Sequence, residues 1–248
     1  MDIDAYLDRI GYHGDRAPTL ENLRSMHRAH AFTVPFENLD IGLGTPIVVD
    51  ESVNFDKIVG RRRGGFCLEL TGTFGRTLRT LGYLVDVIGA RVMMDGRLGR
   101  PRGHMVLIVH VDDERWLADV GFGGRVIEPL RMADGVEQLV GDRRYNIARD
   151  GDRWFVSCTE PGNPPGMYTF TDEPLEFEAF HDVCRWLQTS PESRFTQGSV
   201  ASLARENGRA TLAGTRLITM EGAERTEREI APEEVGAVLQ QEFGIRLP

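Results

Sequence analysis

Cys67 has the surroundings of a nucleophile. It follows three arginines and two glycines in GRRRGGFCLEL (Gly60 to Leu70) and opens the amphipathic run LELTGTFGRTLRTLG. At the start of a helix a thiol meets the positive end of the backbone dipole and N–H groups with no intrahelical acceptor, and both favour the thiolate. Gly64 and Gly65 remove side chains ahead of it, which would let a substrate approach and leave a backbone N–H free to bind an oxyanion. Arg61, Arg62 and Arg63 add positive potential. The plainer reading is a small buried hydrophobe beside a basic patch. Cys158, in a strand-like segment, and Cys184, inside a helical one, lack such surroundings and read as packing residues.

A cysteine nucleophile needs a base, and the base needs an orienting group. Of six histidines, His13, His27 and His30 lie in or beside the N-terminal helical segments and read as surface or helix-packing residues. His110 sits beside the DDE turn, and His181 lies within a helical segment. His104 differs, because it begins the run HMVLIV directly after the cationic loop GRLGRPRG, at the lip of a sheet. Asp119 lies in WLADVGFGG, an otherwise apolar strand, where an unpaired carboxylate is costly. The two strands form a hairpin across VDDE. With a two-residue turn at Asp112 and Asp113, His104 faces Gly121 and Asp119 faces Val106; His104 and Asp119 are then diagonal neighbours on one face, roughly 7–8 Å apart at the backbone. A turn longer by one residue would put them on opposite faces.

The bulk composition narrows the function classes. The 248 residues suffice for one large domain or two to three small ones, and 41% hydrophobic with 27% charged residues is an ordinary globular balance. A formal net charge of −9 argues against nucleic acid as the main partner, so GRRRGG is a local cationic spot on an acidic protein. Three cysteines make no even set, which favours free thiols in a reducing compartment. The N-terminal MDIDAYLDRIGYH lacks the layout of an export signal, and no apolar run reaches membrane-spanning length. The expected location is the cytoplasm, without membrane or metal.

The elements that must hold these residues follow from periodicity. DIDAYLDRIGYHG carries apolar residues at helical spacing, and TLENLRSMHRAHAFT is a second helix capped at Thr19 and stopped before Pro35. TVPFENLDIGLGTPIVV reads as extended and turn-rich. Phe66, Leu70, Phe74, Leu78 and Leu81 form a stripe that predicts a buried helix starting close to Cys67 and ending at Gly82. From Tyr83 the period switches to that of strands in LVDVIGARV, HMVLIVHV, RWLADVGF, RYNIARDG and RWFVSCTE. EFEAFHDVCRWLQTSP is helical; SVASLAREN, RATLAGTRLITME and ERTEREI give three strand-like pieces before the capped helix APEEVGAVLQQEFG. The fold class is α+β, divided into a helical part over 1–84 carrying the nucleophile, a β part over 85–177 carrying His104 and Asp119, and a small α/β piece over 178–248.

RRRGGFCLEL, HMVLIV and WLADVGFGG, in that order and spacing, resemble the arylamine N-acetyltransferases; VPFENLDIGLG, QTSPESRF and the closing EFGIRLP match as well. The resemblance runs through essentially the whole chain. It implies a helical bundle, an antiparallel β-barrel and an α/β lid, with a Cys–His–Asp triad at Cys67, His104 and Asp119. It also implies acetyl-CoA as donor and an aromatic amine or hydrazine as acceptor, joined by a ping-pong reaction through a Cys67 thioester. Phe66 and Phe122 would line the acceptor slot. Arg97, Arg100 and Arg102 would attract CoA phosphates, and Gly103, Gly121, Gly123 and Gly124 would let backbone approach the donor. Glu69 would pair with an arginine, and Glu37 and Asn38 would fix a turn.

Some positions depart from the family pattern. Gly103 stands where many members carry a hydroxyl residue, Thr71 where Asn is common, and the lid is short. An amide synthase that closes an ansamycin-type macrolactam from a polyketide on an acyl carrier protein resembles the same family and is the alternative within it. A thiol hydrolase or transglutaminase-like protein shares the Cys, His, Asp order, and a binding module would use none of it.

Overall fold

The computed structural model describes residues 1–94, 96–162 and 164–247. Helix α1 (Ile3–Ile10) starts where the Asp2 side chain accepts the Ala5 N–H and ends at Gly11, whose φ of 72° suits a residue without Cβ. Helix α2 (Leu20–Thr33) starts at the Thr19 cap and stops before Pro35, as expected from the chain's punctuation. Strand β1 (Phe36–Glu37), α3 (Leu39–Gly42) and α4 (Glu51–Phe55), which runs on as a π turn over Asp56–Gly60, follow. The passage around Pro35 thus holds one short helical turn that an extended reading misses. Helix α5 (Cys67–Thr80) begins at the cysteine itself.

Nine strands then build a highly curved antiparallel sheet: β2 (Leu84–Met94), β3 (Arg97–Leu98), β4 (His104–Val111), β5 (Glu114–Ala118), β6 (Leu130–Arg131), β7 (Val136–Val140), β8 (Arg143–Asp150), β9 (Arg153–Thr159) and β10 (Gly166–Leu175). Their order is β6-β5-β4-β2-β10-β9-β8-β7, with β3 beside β2. Strand alternation gives this sheet two apolar faces. Ile88, Ala90, Val106 and Ile108 point to an inner core with Tyr145 and Trp154. Val85, Val87, Met105, Leu107 and Val109 point outward and pack on α5 through Leu70, Phe74 and Leu78. Gly75 lets the helix come close, since a Cβ there would lie 3.0 Å from Leu107 Cδ2. Strands β7 and β10 were not among the expected strands. β10 carries Asp172, Glu173 and Pro174, and its register with β2 shifts between Phe170 and Pro174, so its pattern is broken by a bulge.

Helix α6 (His181–Thr189), preceded by a 3-10 turn at Phe177–Phe180, and α7 (Arg194–Gln197) lead to a second sheet. Its strands are β11 (Val200–Arg205), β12 (Gly208–Ala213), β13 (Arg216–Glu221) and β14 (Glu224–Glu229), covered by α8 (Val235–Phe243). RATLAGTRLITME is two strands rather than one, turned at Gly214 with φ 62°. The edge of this sheet is completed by β1 from the first third, with Phe36 opposite Ser202 and Glu37 opposite Ala201.

A buried cluster of charge fixes the segment before Cys67. Arg63 donates to Glu37 at 2.8 and 3.0 Å and to Asp40 at 2.9 Å. Lys57 lies 2.8 Å from both Asp40 and Glu69. Glu69 also accepts the Phe66 N–H at 3.0 Å and so caps the first turn of α5. Three carboxylates face two cations here, all five side chains being buried. Burial pushes the Glu69 carboxyl up to about 7 against the pull of Lys57. Lys57→Met leaves buried carboxylates short of a cation and should cost about 3–5 kcal/mol of stability in urea unfolding; a loss under about 1 kcal/mol would mean that the cluster does not hold the fold.

Candidate active site

The hairpin between β4 and β5 turns on two residues, Asp112 and Asp113, with φ of 50° and 60°, a conformation that Asp tolerates better than most residues. Val111 pairs with Glu114 and Leu107 with Ala118, so continuing the register sets Asp119 opposite Val106 and His104 opposite Gly121. The two-residue turn therefore decides that His104 and Asp119 share a face. His104 Nε2 and Asp119 Oδ2 are 2.9 Å apart. Cys67 lines the same slot as the ring and adds to the support of its charged form. The Cys67 thiol also points at the Gly103 carbonyl, 3.8 Å away.

All three groups are buried, with Asp119 fully so. Burial works against an imidazolium at His104, but the Asp119 charge and hydrogen bond, helped by Cys67, outweigh it and hold the ring up at about 10. Asp119 is further satisfied by the Gly121 N–H, which donates to Oδ1 at 3.0 Å. Its own N–H donates to His27 Nε2 at 3.1 Å. The Tyr168 hydroxyl is buried beside Asp119, and burial followed by that charge raises its pKa well above the usual phenol range. Burial pushes the Cys158 and Cys184 thiols up to about 12, as suits packing residues.

Cys67 and His104 form the floor of an apolar slot of about 360 Å³. Phe36, Phe122, Trp186 and Phe195 are its large walls, with Val92 and Met94 beside them. Phe122 leans over the His104 ring at 5.4 Å and meets Tyr168 edge-on at 5.0 Å. A larger open groove of about 1340 Å³, between residues 44–53 and α6, is lined by none of Cys67, His104 and Asp119.

The structure places the sequence candidates as follows. Cys67, His104 and Asp119 come together. Phe122, Gly103, Gly121, Gly123 and Arg100 line the slot, and the Arg100 guanidinium lies 4.6 Å over Trp186. Phe66 does not line it; fully buried as the residue before α5, it packs edge-on to Phe195. Gly124 is pressed against the second sheet instead, where a Cβ would lie 2.8 Å from the Ala204 N. Arg97 is exposed on β3, and Arg102 turns from the slot to the Ala179 carbonyl at 3.5 Å.

The segment before the thiol also differs from expectation. Gly64 and Gly65 serve close packing rather than substrate access, since a Cβ at Gly64 would fall 1.9 Å from the Pro35 carbonyl oxygen and one at Gly65 2.8 Å from Glu69. Arg63 is neutralised in the buried cluster and Arg61 pairs with Asp56 at 3.0 Å, so neither is a free cation beside Cys67. Glu69 takes a lysine rather than an arginine. Sequence reasoning did not name Phe36, Trp186 and Phe195, which reach the slot from distant segments, nor the contact made by His27. Among the described residues no group of three or more His, Cys, Asp or Glu side chains could hold a metal.

A cysteine beside a charged imidazole under an apolar slot can accept an acyl group and pass it to an uncharged nucleophile. Comparisons with known proteins agree with that chemistry. The family model described as N-acetyltransferase matches residues 19–248. The chain is 32% identical to the arylamine N-acetyltransferase / N-hydroxyarylamine O-acetyltransferase of Salmonella typhimurium over 98% of this chain and 88% of that protein. It is similar to the crystal structure of the Nocardia farcinica arylamine N-acetyltransferase, with a TM-score of 0.93 and 36% identity over 100% of this chain and 90% of that one. The Mycobacterium marinum arylamine N-acetyltransferase in complex with CoA matches with a TM-score of 0.92 and 31% identity, over 98% and 93% of the two chains.

Two outcomes follow from the geometry. Asp119→Asn removes the main support for the imidazolium and lets burial prevail, so the His104 pKa should fall from about 10 to below its ordinary value of about 6.5. The charged ring stabilises the fold fully below about pH 6.5 and progressively less as the pH climbs through about 10; in the Asp119→Asn variant that contribution is gone, and nitrogen-15 NMR titration of the ring reads the change. Gly121→Ala would put a Cβ 2.8 Å from the Cys67 Cα and 2.6 Å from Thr71 Oγ1. It should cost about 1–3 kcal/mol of stability in chemical denaturation and slow alkylation of the thiol; unchanged values would show that the two backbones separate freely.

Proposed function

Because the chain belongs to the arylamine N-acetyltransferase family, we propose that it moves an acetyl group from acetyl-CoA, through a thioester on Cys67, to the nitrogen of an arylamine or arylhydrazine. The observation that carries this reading is the floor of the slot, where Cys67 and His104 lie together and the His104 ring is hydrogen-bonded to the buried Asp119 carboxylate. The Cys67 thiolate attacks the acetyl carbonyl carbon, the bond from that carbon to the CoA sulfur breaks, and CoA leaves with the proton held by His104. The N–H groups that open α5 have no intrahelical acceptor and stabilise the oxyanion.

In the second half the amine nitrogen attacks the thioester carbonyl. His104 takes the proton that the nitrogen gives up, Cys67 leaves as thiolate, and the starting pair is restored. Arylamines are weak bases and arrive unprotonated near neutral pH, so no stronger base is needed. Asp119 keeps the ring in orientation and supports its charge. CoA leaves the acetyl-enzyme before the amine enters, which gives ping-pong kinetics.

The slot suits these substrates. Phe36, Phe122, Trp186 and Phe195 offer faces and edges to a single aromatic ring. Gly103, Gly121 and Gly123 let the donor thioester lie against backbone, and Arg100, stacked on Trp186 at the slot, is suited to a CoA phosphate. Arg97 and Arg102, outside the slot, act on the polyanionic donor at longer range. The relative named as bound to CoA supports this donor. A slot of about 360 Å³ fits acetyl and one ring better than a polyketide chain on a carrier protein, which speaks against the macrolactam-forming alternative. Among the described residues no helix is long and apolar enough to cross a membrane, and all three cysteines are free; a reducing cytoplasm suits them.

Mixing the protein with acetyl-CoA should release CoA in a burst equal to the enzyme concentration and leave one acetyl group on the Cys67 peptide by mass spectrometry. Adding an aniline or an arylhydrazine should discharge it. Cys67→Ala should lose about four orders of magnitude or more in turnover with the unfolding transition unchanged. An acetyl group found on another peptide, or CoA release that ignores the amine, would end the proposal.

A further inference from the structure

Asp119 lies just past the end of β5, where the ladder with β4 stops at the Leu107–Ala118 pair. Its N–H therefore has no strand acceptor, and the acceptor it finds comes from 92 residues earlier in the chain. We infer that His27 is a positioning residue for the triad: its Nε2 receives the Asp119 N–H and fixes the end of β5 against the helical part, so that the Asp119 carboxylate meets His104. The inference rests on the acyl-transfer reading above and adds to it a residue that touches neither substrate nor the reacting atoms.

Three features support it. The first is burial: His27 has no exposed surface, so water cannot stand in for its nitrogen. The second is protonation. An accepting Nε2 requires a neutral ring with its hydrogen on Nδ1. Burial pulls the ring down to about 4, although the nearby Asp119 charge acts in the opposite direction, so the acceptor persists at any working pH. His30, one turn along α2, is buried as well, and burial above all holds it well below the usual imidazole range. The third feature is placement. The His27 ring meets Phe74 edge-on at 5.7 Å and 86°. Phe74 lies on α5, the helix that Cys67 opens. One imidazole thus ties the backbone of the triad's acid to the helix of its nucleophile.

The test compares His27→Leu, which removes the acceptor, with His27→Gln, whose Oε1 can stand near the place of Nε2. Single-turnover acetylation of Cys67 by p-nitrophenyl acetate reads the triad without CoA or an arylamine. The expected result for His27→Leu, counted per folded molecule, is a ten- to hundred-fold slower acetylation with the p-nitrophenyl acetate half-saturation changed less than about two-fold. The His104 titration should also move below about 10, since Asp119 is what holds it there. His27→Gln should restore most of both. If folded His27→Leu acetylates at the parent rate with an unmoved His104 titration, or if Gln fails to rescue while thermal unfolding is normal, the inference is overturned and His27 is packing alone. If the parent protein itself takes no acetyl group, the proposed function fails instead; the His104 titrations of the variants still decide the role of His27.

Discussion

The structure turns on a carboxylate with no access to water. An ionised Asp in such a place is tolerated only when neighbouring groups replace its hydration. Asp119 achieves this with His104 on one oxygen and the Gly121 N–H on the other. His104 comes from the facing strand, Gly121 from two residues further on, and the His27 that takes the Asp119 N–H from α2. Satisfying this buried residue therefore dictates how α2, the hairpin and the loop after β5 meet. Cys67 enters this arrangement through the ring that Asp119 orients.

The second constraint lies on the other side of the thiol. Five buried ionisable side chains, Glu37, Asp40, Lys57, Arg63 and Glu69, join α4's extension, the segment after Pro35 and the first turn of α5. Such clusters are poor sources of net stability, because desolvation offsets most of the attraction. Their value is geometric: each carboxylate must find its cation, and few arrangements of the backbone allow it. Gly64 and Gly65 admit the close approach of chain to chain that this packing requires. Cys67 thus starts its helix from a loop held on both sides.

Much of this was legible in the sequence. The apolar stripe of α5 and the caps at Thr19 and Gly82 marked the helices, and VDDE marked the hairpin; of its two possible registers, the two-residue turn that the structure adopts is the one that puts His104 and Asp119 on one face. Asp119 also signalled itself as a lone acid in an apolar strand. What could not be read depends on contacts between remote segments. Phe36, Trp186 and Phe195 become walls of one slot only through folding, and nothing in their own neighbourhoods marks them. His27 sits on a helical face where packing and hydrogen bonding leave the same pattern. The arginines of the loop before His104 illustrate the opposite error, since proximity in sequence suggested a shared target. The positive φ of 60° at Arg102 turns one away while Arg100 stays at the slot.

Strand β1 carries a further consequence for how the molecule is made. Phe36 and Glu37 take Ser202 and Ala201 as their partners, and Asn38 accepts the Val200 N–H at 2.7 Å while its amide reaches the carbonyls of Phe195 and Gly198. On the ribosome the first of these residues emerges long before the last. The helices can collapse early, but the Phe36 and Phe195 walls of the slot cannot close around the thiol until the C-terminal sheet has been synthesised and docked. Through that interval the nascent chain carries an incompletely sheltered cysteine, and the order of synthesis makes competence for catalysis one of the last properties the polypeptide acquires.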